Sequence, residues 1–153
     1  MVVSSPRSVR FDGDVLRRLE HYVRSHPGSS VSSVTNLFVD EALRVEERPG
    51  ITFRPGPTGR RAGIVGGPDV WEVIDTLLSV REHDPDLADA ALVSATAEAI
   101  GLPERKVRIA VRYYGAYPDE IDERVEANRQ AALEAEAAWH AEQSLLRGNP
   151  RAS

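Results

Sequence analysis

Hydrophobic and polar residues alternate over a short segment near the start of the chain and then repeat with helical spacing. Residues 8–11 follow the period-2 pattern of a β-strand, so Val9 and Phe11 are expected to face a core. Two segments with hydrophobic residues every three or four positions follow, separated by a break at residues 26–28, and they predict amphipathic helices. Their hydrophobic stripes are Val15, Leu16, Leu19, Tyr22 and Val23, and then Val34, Leu37, Phe38, Ala42 and Val45.

The middle of the chain predicts a hairpin followed by helices. Two short runs with β character, residues 51–54 and 61–65, lie on either side of the loop sequence PGPTGR. Pro68 is expected to be the first residue of a helix, because proline is favoured at that position. Residues 87–100 are predicted to form a further, Ala-rich helix. The helix that starts at Pro68 is predicted to have a buried face, which contains Val70, Trp71, Val73, Ile74, Leu77 and Leu78.

A helix-turn-helix spacing follows in the sequence TAEAIGLPERKVRIAVRYY. Ala97 is small enough for two helices to approach, Gly101 can adopt a left-handed turn, and Val107 can pack the second helix down. The second helix is predicted to run over residues 103–114. It would present arginines on one face, at positions three and four apart. These are Arg105, Arg108 and Arg112. This face suits a second DNA contact or an acidic partner, and the plain alternative is an ordinary three-helix fold whose basic face meets the acidic tail.

The tail predicts one long helix over residues 118–146, about 43 Å at 1.5 Å per residue. Between Asp119 and Glu142 there are eight acidic residues against Arg124 and Arg129. Such a segment is either a solvated face or an amphipathic helix that fits a groove on a basic partner, and the second interpretation is favoured. The predicted partner-binding residues are Ile121, Val125, Leu133, Trp139, Leu145 and Leu146.

The distribution of Pro and Gly indicates three modules in a chain of 153 residues. Many of the 10 Pro and 11 Gly lie between Pro49 and Pro68, which separates residues 1–48, 49–117 and 118–153. The predicted fold is mostly α-helical with short β elements.

Cys is absent, which excludes disulfides and thiolate sites and fits a reducing cytoplasm. With no apolar run long enough for a membrane span and no signal-peptide pattern, a cytoplasmic protein without membrane contact is expected.

Catalytic chemistry has little support in the sequence. The histidines His21, His26, His83 and His140 are scattered, without the spacing of a metal motif. Paired acids such as Asp119 and Glu120 lie at a helix start, where they stabilise the helix dipole. We therefore expect no enzyme, no catalytic residues, no metal and no cofactor.

The N-terminal strand and two helices are too small to bury a sufficient core alone, so dimerisation is expected. The sequence RSVRFDGDVLRRLEHYV, followed by SSVTNLFVDEAL, resembles the CopG and Arc type of ribbon-helix-helix repressor over the first third of the chain. The resemblance implies a homodimer whose paired strands enter the DNA major groove. It implies base contacts from Ser8 and Arg10, beside Arg7, and a phosphate clamp near Ser32 and Ser33.

Those roles have physical support and also plain alternatives. Arginine can donate two hydrogen bonds to a guanine edge, and a helix N-terminus binds phosphate through free N–H groups. The alternatives are an exposed edge strand for residues 8–11 and simple helix capping for Ser32 and Ser33. Residues 1–48 carry seven Arg against seven Asp or Glu, so DNA binding would depend on where the arginines lie or on other parts of the chain. The hairpin residues Arg54, Arg60 and Arg61 either contact a phosphate backbone like a wing or form a solvated turn.

A second resemblance covers roughly residues 49–121. The sequences PGITFRPGPTGRRAGIVGGPDVWEVI and AIGLPERKVRIAVRYYGAYPDEI are similar to a small helix-turn-helix domain whose members commonly serve as antitoxins to PIN-like ribonuclease toxins. The tail resembles the toxin-wrapping C-terminal arm of VapB-type antitoxins. Here the loop between the two halves of the domain is long, which departs from the family pattern.

The leading hypothesis is an antitoxin of a type II toxin–antitoxin system that represses its own operator and neutralises a PIN-like ribonuclease. The alternative is a stand-alone ribbon-helix-helix transcriptional regulator without a toxin, whose tail would be an oligomerisation helix or bind another protein. A third class, a DNA-organising protein, would use the same ribbon without strong sequence preference.

Overall fold

The computed structural model describes residues 5–148, which form six helices and two short strands. The ends of the first and third predicted modules, residues 1–4 and 149–153, lie outside the described residues. The mostly α-helical fold with short β elements is confirmed. The chain divides into two compact units, of which unit 1 ends at Glu47 and unit 2 begins at Arg48. The elements are α1 (Gly13–Ser25), α2 (Val31–Glu47), β1 (Ile51–Arg54), β2 (Arg61–Ile64), α3 (Val70–His83), α4 (Asp89–Ile100), α5 (Glu104–Ala116) and α6 (Pro118–Leu146).

Unit 1 is a pair of helices preceded by an extended segment. The strand predicted over residues 8–11 does not form in the single chain, in which residues 5–12 have no regular secondary structure. A strand needs a second strand to satisfy its backbone hydrogen bonds, and in a ribbon-helix-helix fold that strand comes from another copy. Val9, which was expected to face a core, is 68% exposed.

The α1–α2 pair buries little of its hydrophobic surface. Every residue of α1 is exposed or half-buried, whereas α2 buries Val34 and Glu41. The two predicted stripes therefore exist as helical faces, but much of each face remains in contact with solvent. The exposed large hydrophobic residues of the two helices are Val15, Leu16, Leu37, Val39, Leu43 and Val45.

Unit 2 begins with the predicted hairpin. β1 and β2 pair antiparallel, with Ile51 opposite Ile64 and Arg54 opposite Arg61. The second strand is one residue shorter than expected, because Val65 turns into solvent. Ile51, Ala62 and Ile64 are buried and belong to the core of unit 2.

That core is built by one face of the hairpin and by α3, α4, α5 and the first half of α6. Val70, Val73, Val107 and Tyr113 are fully buried near its centre. Helix α3 begins at Val70 rather than at Pro68, because Asp69 is extended, with φ −68° and ψ 151°, and acts as the N-cap. The backbone N–H of Asp69 donates a hydrogen bond to Glu72 Oε2 at 2.8 Å, as in a capping box.

The predicted pair of helices joined by a turn at Gly101 is present as α4 and α5. Gly101 ends α4 with φ 72°, in the left-handed region, and the next N–H, of Leu102, donates to the Ala97 carbonyl at 2.9 Å. Ala97 and Val107 are buried where the two helices meet. The second helix runs over Glu104–Ala116, starting one residue and ending two residues later than predicted.

Helix α6 has the predicted bounds, Pro118–Leu146, but it is not a separate module. Its first half packs on α3 and α5, and Ile121 and Val125 are buried in the core of unit 2. The structure therefore differs from the predicted division at residue 118, because hydrophobic side chains join the start of the tail to the preceding helices. No helix within residues 5–148 is long and apolar enough to cross a membrane.

Candidate nucleic-acid and partner interfaces

Three of the predicted DNA-binding residues lie together on the extended segment before α1. Arg7, Ser8 and Arg10 are all exposed. Phe11 is half-buried and lines a groove between the two helices of unit 1, so it anchors the end of the segment to the helix pair. The guanidinium groups of Arg7 and Arg10 are accessible to an anionic ligand.

The other two predicted residues of unit 1 lie in the first turn of α2, where they have different roles. Ser33 and Ser30 form a reciprocal capping pair: the Ser33 N–H donates to Ser30 Oγ at 3.1 Å and the Ser30 N–H donates to Ser33 Oγ at 2.9 Å. Ser33 is therefore a capping residue, while Ser32 is exposed beside it. This first turn contains no acidic residue, which leaves the positive end of the helix dipole uncompensated by a carboxylate.

A hydrophobic groove of about 450 Å³ runs between the helices of unit 1. Within it Tyr22 meets Phe38 edge to face, with ring centroids 5.0 Å apart. Outside it Tyr22 also stacks on His26 at 3.8 Å. Sequence periodicity identified most of these residues as core positions, and in the single chain they line an open surface. The lining residues are Phe11, Val15, Arg18, Leu19, Tyr22, Thr35, Phe38, Val39 and Ala42.

The three arginines predicted on α5 are brought together on one exposed face. Arg105, Arg108 and Arg112 are all accessible to solvent, and the closest carboxylate contact is a long one of 3.9 Å between Arg108 Nη2 and Glu104 Oε2. Lys106 points the other way and donates a hydrogen bond to the Gly66 carbonyl at 2.6 Å. We call the three arginines the α5 basic face.

The hairpin arginines form an internal ion cluster instead of a wing. Arg54 donates to the carbonyls of Ile64 and Gly67 at 2.8 and 2.7 Å and lies 3.4 Å from Asp69 Oδ1. Arg61 Nε donates to the other oxygen of Asp69. The wing alternative is therefore wrong for Arg54 and Arg61, whose guanidinium groups hold the hairpin to the start of α3.

Sequence reasoning missed this cluster, although two signals were present. Asp69 stands at a helix start, and Gly63 leaves the space through which Arg54 passes, since a Cβ at residue 63 would lie 2.5 Å from Arg54 Nη2. The cluster borders a cleft of about 680 Å³, between the hairpin and α6, that also contains Trp71 and Arg124. Arg124 crosses the cleft to Thr58 Oγ1 and the Arg60 carbonyl, both at 2.9 Å.

The predicted partner-binding residues of α6 fall into two groups. Ile121 and Val125 are 1% and 5% exposed, so their assignment to a partner surface is wrong: they are part of the core. Leu133, Trp139, Leu145 and Leu146 are exposed, and every residue from 131 to 142 is exposed as well. We call residues 130–146 the arm.

Titratable groups near α6 have structural partners. The pKa of Tyr114 is raised, first by its hydrogen bond to Asp122 and then by burial. Tyr113 is fully buried and its hydroxyl donates to Glu120 Oε1 at 2.9 Å. In the part of the chain that the structure describes, no three His, Asp or Glu side chains come close enough together to hold a metal ion.

Comparison with protein-family models, with curated proteins and with solved structures gives no match for this chain. Its function must therefore be inferred from its own residues and their geometry.

Proposed function

We propose that this chain is a dimeric DNA-binding antitoxin: unit 1 binds operator DNA as a ribbon-helix-helix dimer, and the arm neutralises a PIN-like ribonuclease. The observation that carries the proposal is the open hydrophobic surface of unit 1. Two helices of 13 and 17 residues that bury only Val34 and Glu41 cannot stabilise themselves to the usual extent. A second copy supplies the missing core.

The extended segment before α1 supports the same arrangement. Residues 8–11 alternate in polarity and lie beside the groove through Phe11, so pairing with the same segment of a second copy would satisfy their backbone groups. Such pairing would turn Val9 towards the shared core and Arg10 towards the outer face of the ribbon. A two-stranded ribbon fits the major groove, where arginine reads guanine.

The first turn of α2 supplies the complementary backbone contact. It has an exposed serine, Ser32, and lacks an acidic residue that would repel a phosphate. Phosphate contacts of this kind fix the register of a protein on DNA without reading sequence. Ser33 stabilises the turn by capping, which holds the backbone N–H groups of the turn in place for a phosphate.

The exposed arm supports the antitoxin part of the proposal. It presents Leu133, Trp139, Leu145 and Leu146 on an acidic helix, and the resemblance of the tail to VapB-type arms assigns such a helix to toxin binding. A large aromatic side chain surrounded by smaller residues is a common anchor in protein interfaces. Trp139 is the best candidate for this anchor.

The stand-alone regulator remains a second candidate because half of α6 is structural. Ile121 and Val125 complete the core of unit 2, so the tail has a role that needs no toxin. In that case the arm serves oligomerisation or another protein, and DNA binding by unit 1 is unchanged.

Capture from native cells separates the two candidates. The full chain is compared with a version that ends after Gln130, which keeps Ile121, Val125 and Arg129 and therefore the core of unit 2. Recovery of a small ribonuclease with the full chain, and its loss with the shorter version, supports the antitoxin. Recovery of only the protein itself and DNA with both versions favours the stand-alone regulator.

DNA titration tests the regulatory part independently. Fluorescence anisotropy at fixed salt compares the duplex upstream of the gene with a scrambled duplex of equal length. A repressor is expected to prefer its operator by roughly a thousandfold or more. A ratio near one would favour the DNA-organising class.

A further inference from the structure

The arm and the α5 basic face carry opposite charges and are both exposed. Residues 130–146 contain Glu134, Glu136 and Glu142 but no Lys or Arg. The α5 basic face presents three arginines, with the exposed Val111 at its edge beside Arg108. Opposite charge together with apolar residues on both surfaces is the pattern of two helices that can pack on each other.

The two surfaces cannot meet within one chain. Helix α6 already contacts α5 through its first half, and it continues without a break to Leu146. An unbroken helix cannot fold back on itself, and residues 131–142 are all exposed. Any helix that occupies the α5 basic face must therefore come from another molecule.

The apolar face of the arm continues the buried face of α6. Residues spaced alternately by four and three positions lie on one side of a helix. Starting from the buried Ile121 and Val125, this spacing leads through Asn128, Ala132 and Ala135 to Trp139, which is 53% exposed. The stripe that packs on the body in the first half of α6 is thus unpartnered in the second half.

Acidic residues border this stripe on both sides. Glu136 and Glu142 each lie three positions from Trp139, in opposite directions along the helix, so they flank its side chain. From Glu136 to Glu142 the helix rises about 9 Å, and from Arg105 to Arg112 it rises about 10 Å, at 1.5 Å per residue. The charged stretches are therefore of matching length.

We propose that the arm of one chain packs along the α5 basic face of a second copy, and that the exchange is reciprocal. A two-fold axis then makes the contact twice per pair of chains, as is usual in homodimers. Both helices belong to unit 2, so this contact does not depend on the function proposed for unit 1. Because it covers Trp139, it competes with a toxin for the arm. DNA would match the charge of the face but would leave Val111 and Trp139 without an apolar partner.

Trp139 provides a direct readout of this contact. The chain has two tryptophans, and the conservative substitution Trp71→Phe leaves Trp139 as the sole emitter. Fluorescence of the full-length Trp71→Phe protein is recorded over a dilution series, alongside sedimentation velocity. We expect the emission to shift to shorter wavelength as concentration rises, because the indole leaves water, whereas dimerisation through unit 1 alone would not shift it.

Charge reversal and rescue then identify the surface. The face variant carries Arg105→Glu, Arg108→Glu and Arg112→Glu, and the arm variant carries Glu136→Arg and Glu142→Arg. Each variant alone should raise the concentration at which Trp139 becomes buried by at least tenfold. Mixed one to one, they restore opposite charges at both contacts and should recover the shift. Circular dichroism of each variant checks that the helices are intact, and replacement of the same arginines by Gln should give an intermediate effect.

Two results would overturn the proposal. The first is Trp139 emission that stays independent of concentration in a protein that sedimentation shows to be self-associated. The second is a shift that the face variant leaves unchanged. Loss of DNA binding in the face variant, with unaltered Trp139 emission, would assign the α5 basic face to nucleic acid instead.

Discussion

Arg129 Nε lies 2.8 Å from Asp75 Oδ1 and joins α6 to α3 across 54 positions of the chain. This ion pair marks the end of the anchored part of α6. Before it, Ile121 and Val125 are buried, and after it every residue from 130 to 142 is exposed. The boundary between core helix and arm is therefore at Arg129, eleven positions beyond the start of the helix.

Arg129→Ala is expected to loosen this boundary with a modest effect on stability. Both side chains are partly exposed, 38% for Arg129 and 26% for Asp75, so the pair contributes only about 0.5–1 kcal/mol. Urea unfolding measures the loss, and hydrogen exchange should show faster opening in the turn around residue 129. A loss above about 3 kcal/mol would mean that the pair behaves as a fully buried one.

Arg10→Ala is expected to weaken operator binding and relax its specificity. A bidentate contact to a base is worth about 1–3 kcal/mol, which corresponds to roughly 5- to 150-fold in affinity. Arg17→Ala is the matched control, because Arg17 is exposed on α1 and pairs with Asp14. Equal affinities for wild type and Arg10→Ala in anisotropy titrations would remove Arg10 from the interface.

Gly101→Ala is expected to destabilise unit 2 through the backbone alone. The left-handed conformation at φ 72° costs a residue with a Cβ about 1–2 kcal/mol, and the added methyl group meets no atom within 4 Å. Gly115→Ala is the control, since that glycine lies in α5, also with open space around it, and alanine there should stabilise by up to about 1 kcal/mol. Thermal unfolding should therefore move in opposite directions for the two variants.

Asp69→Ala is expected to be the most damaging of these changes. Asp69 is 4% exposed, caps α3 and carries the charge that balances Arg54 and Arg61. Removing it leaves two cations without their carboxylate and costs about 2–4 kcal/mol, reduced from the fully buried case because both arginines are partly exposed. Chemical denaturation checks the value. An effect below about 1 kcal/mol would show that the cluster contributes little.

The Tyr114–Asp122 contact makes a prediction for alkaline pH. The folded protein raises the pKa of Tyr114 above that of the unfolded chain, mainly because its hydroxyl donates to Asp122. The stability from this contact is therefore fully present below the ordinary tyrosine pKa of about 10 and is lost as pH rises through the folded value. Tyr114→Phe should flatten the fall in unfolding free energy above about pH 10. An unchanged profile would assign the fall to other groups.

Local sequence signals predicted the elements of unit 2 closely. Pro118, Asp119 and Glu120 indicate a helix start, and α6 begins at Pro118. Gly101 marks the turn between α4 and α5 because only a few residues adopt its backbone conformation readily. Such signals depend on neighbours within a few positions, which is why they can be read from one sequence.

Other features depend on residues far apart in the chain or on a second molecule. The burial of Ile121 is set by packing of α6 on α3 and α5, which no local pattern contains. The pairing of Arg54 and Arg61 with Asp69 joins the hairpin to a helix cap. The strand predicted at residues 8–11 does not form in the single chain, because no second strand satisfies its backbone groups there.

The unbroken course of α6 links the arm to the core thermodynamically. The arm is already helical where it leaves Arg129, so a molecule that binds it pays no cost for ordering the helix. Any such molecule that binds only the folded form raises the unfolding free energy of unit 2 by mass action, by about 2.7 kcal/mol at a hundred times its Kd. The melting temperature of this protein is therefore a general detector for whatever the arm binds, and it requires no assay of repression or of ribonuclease activity.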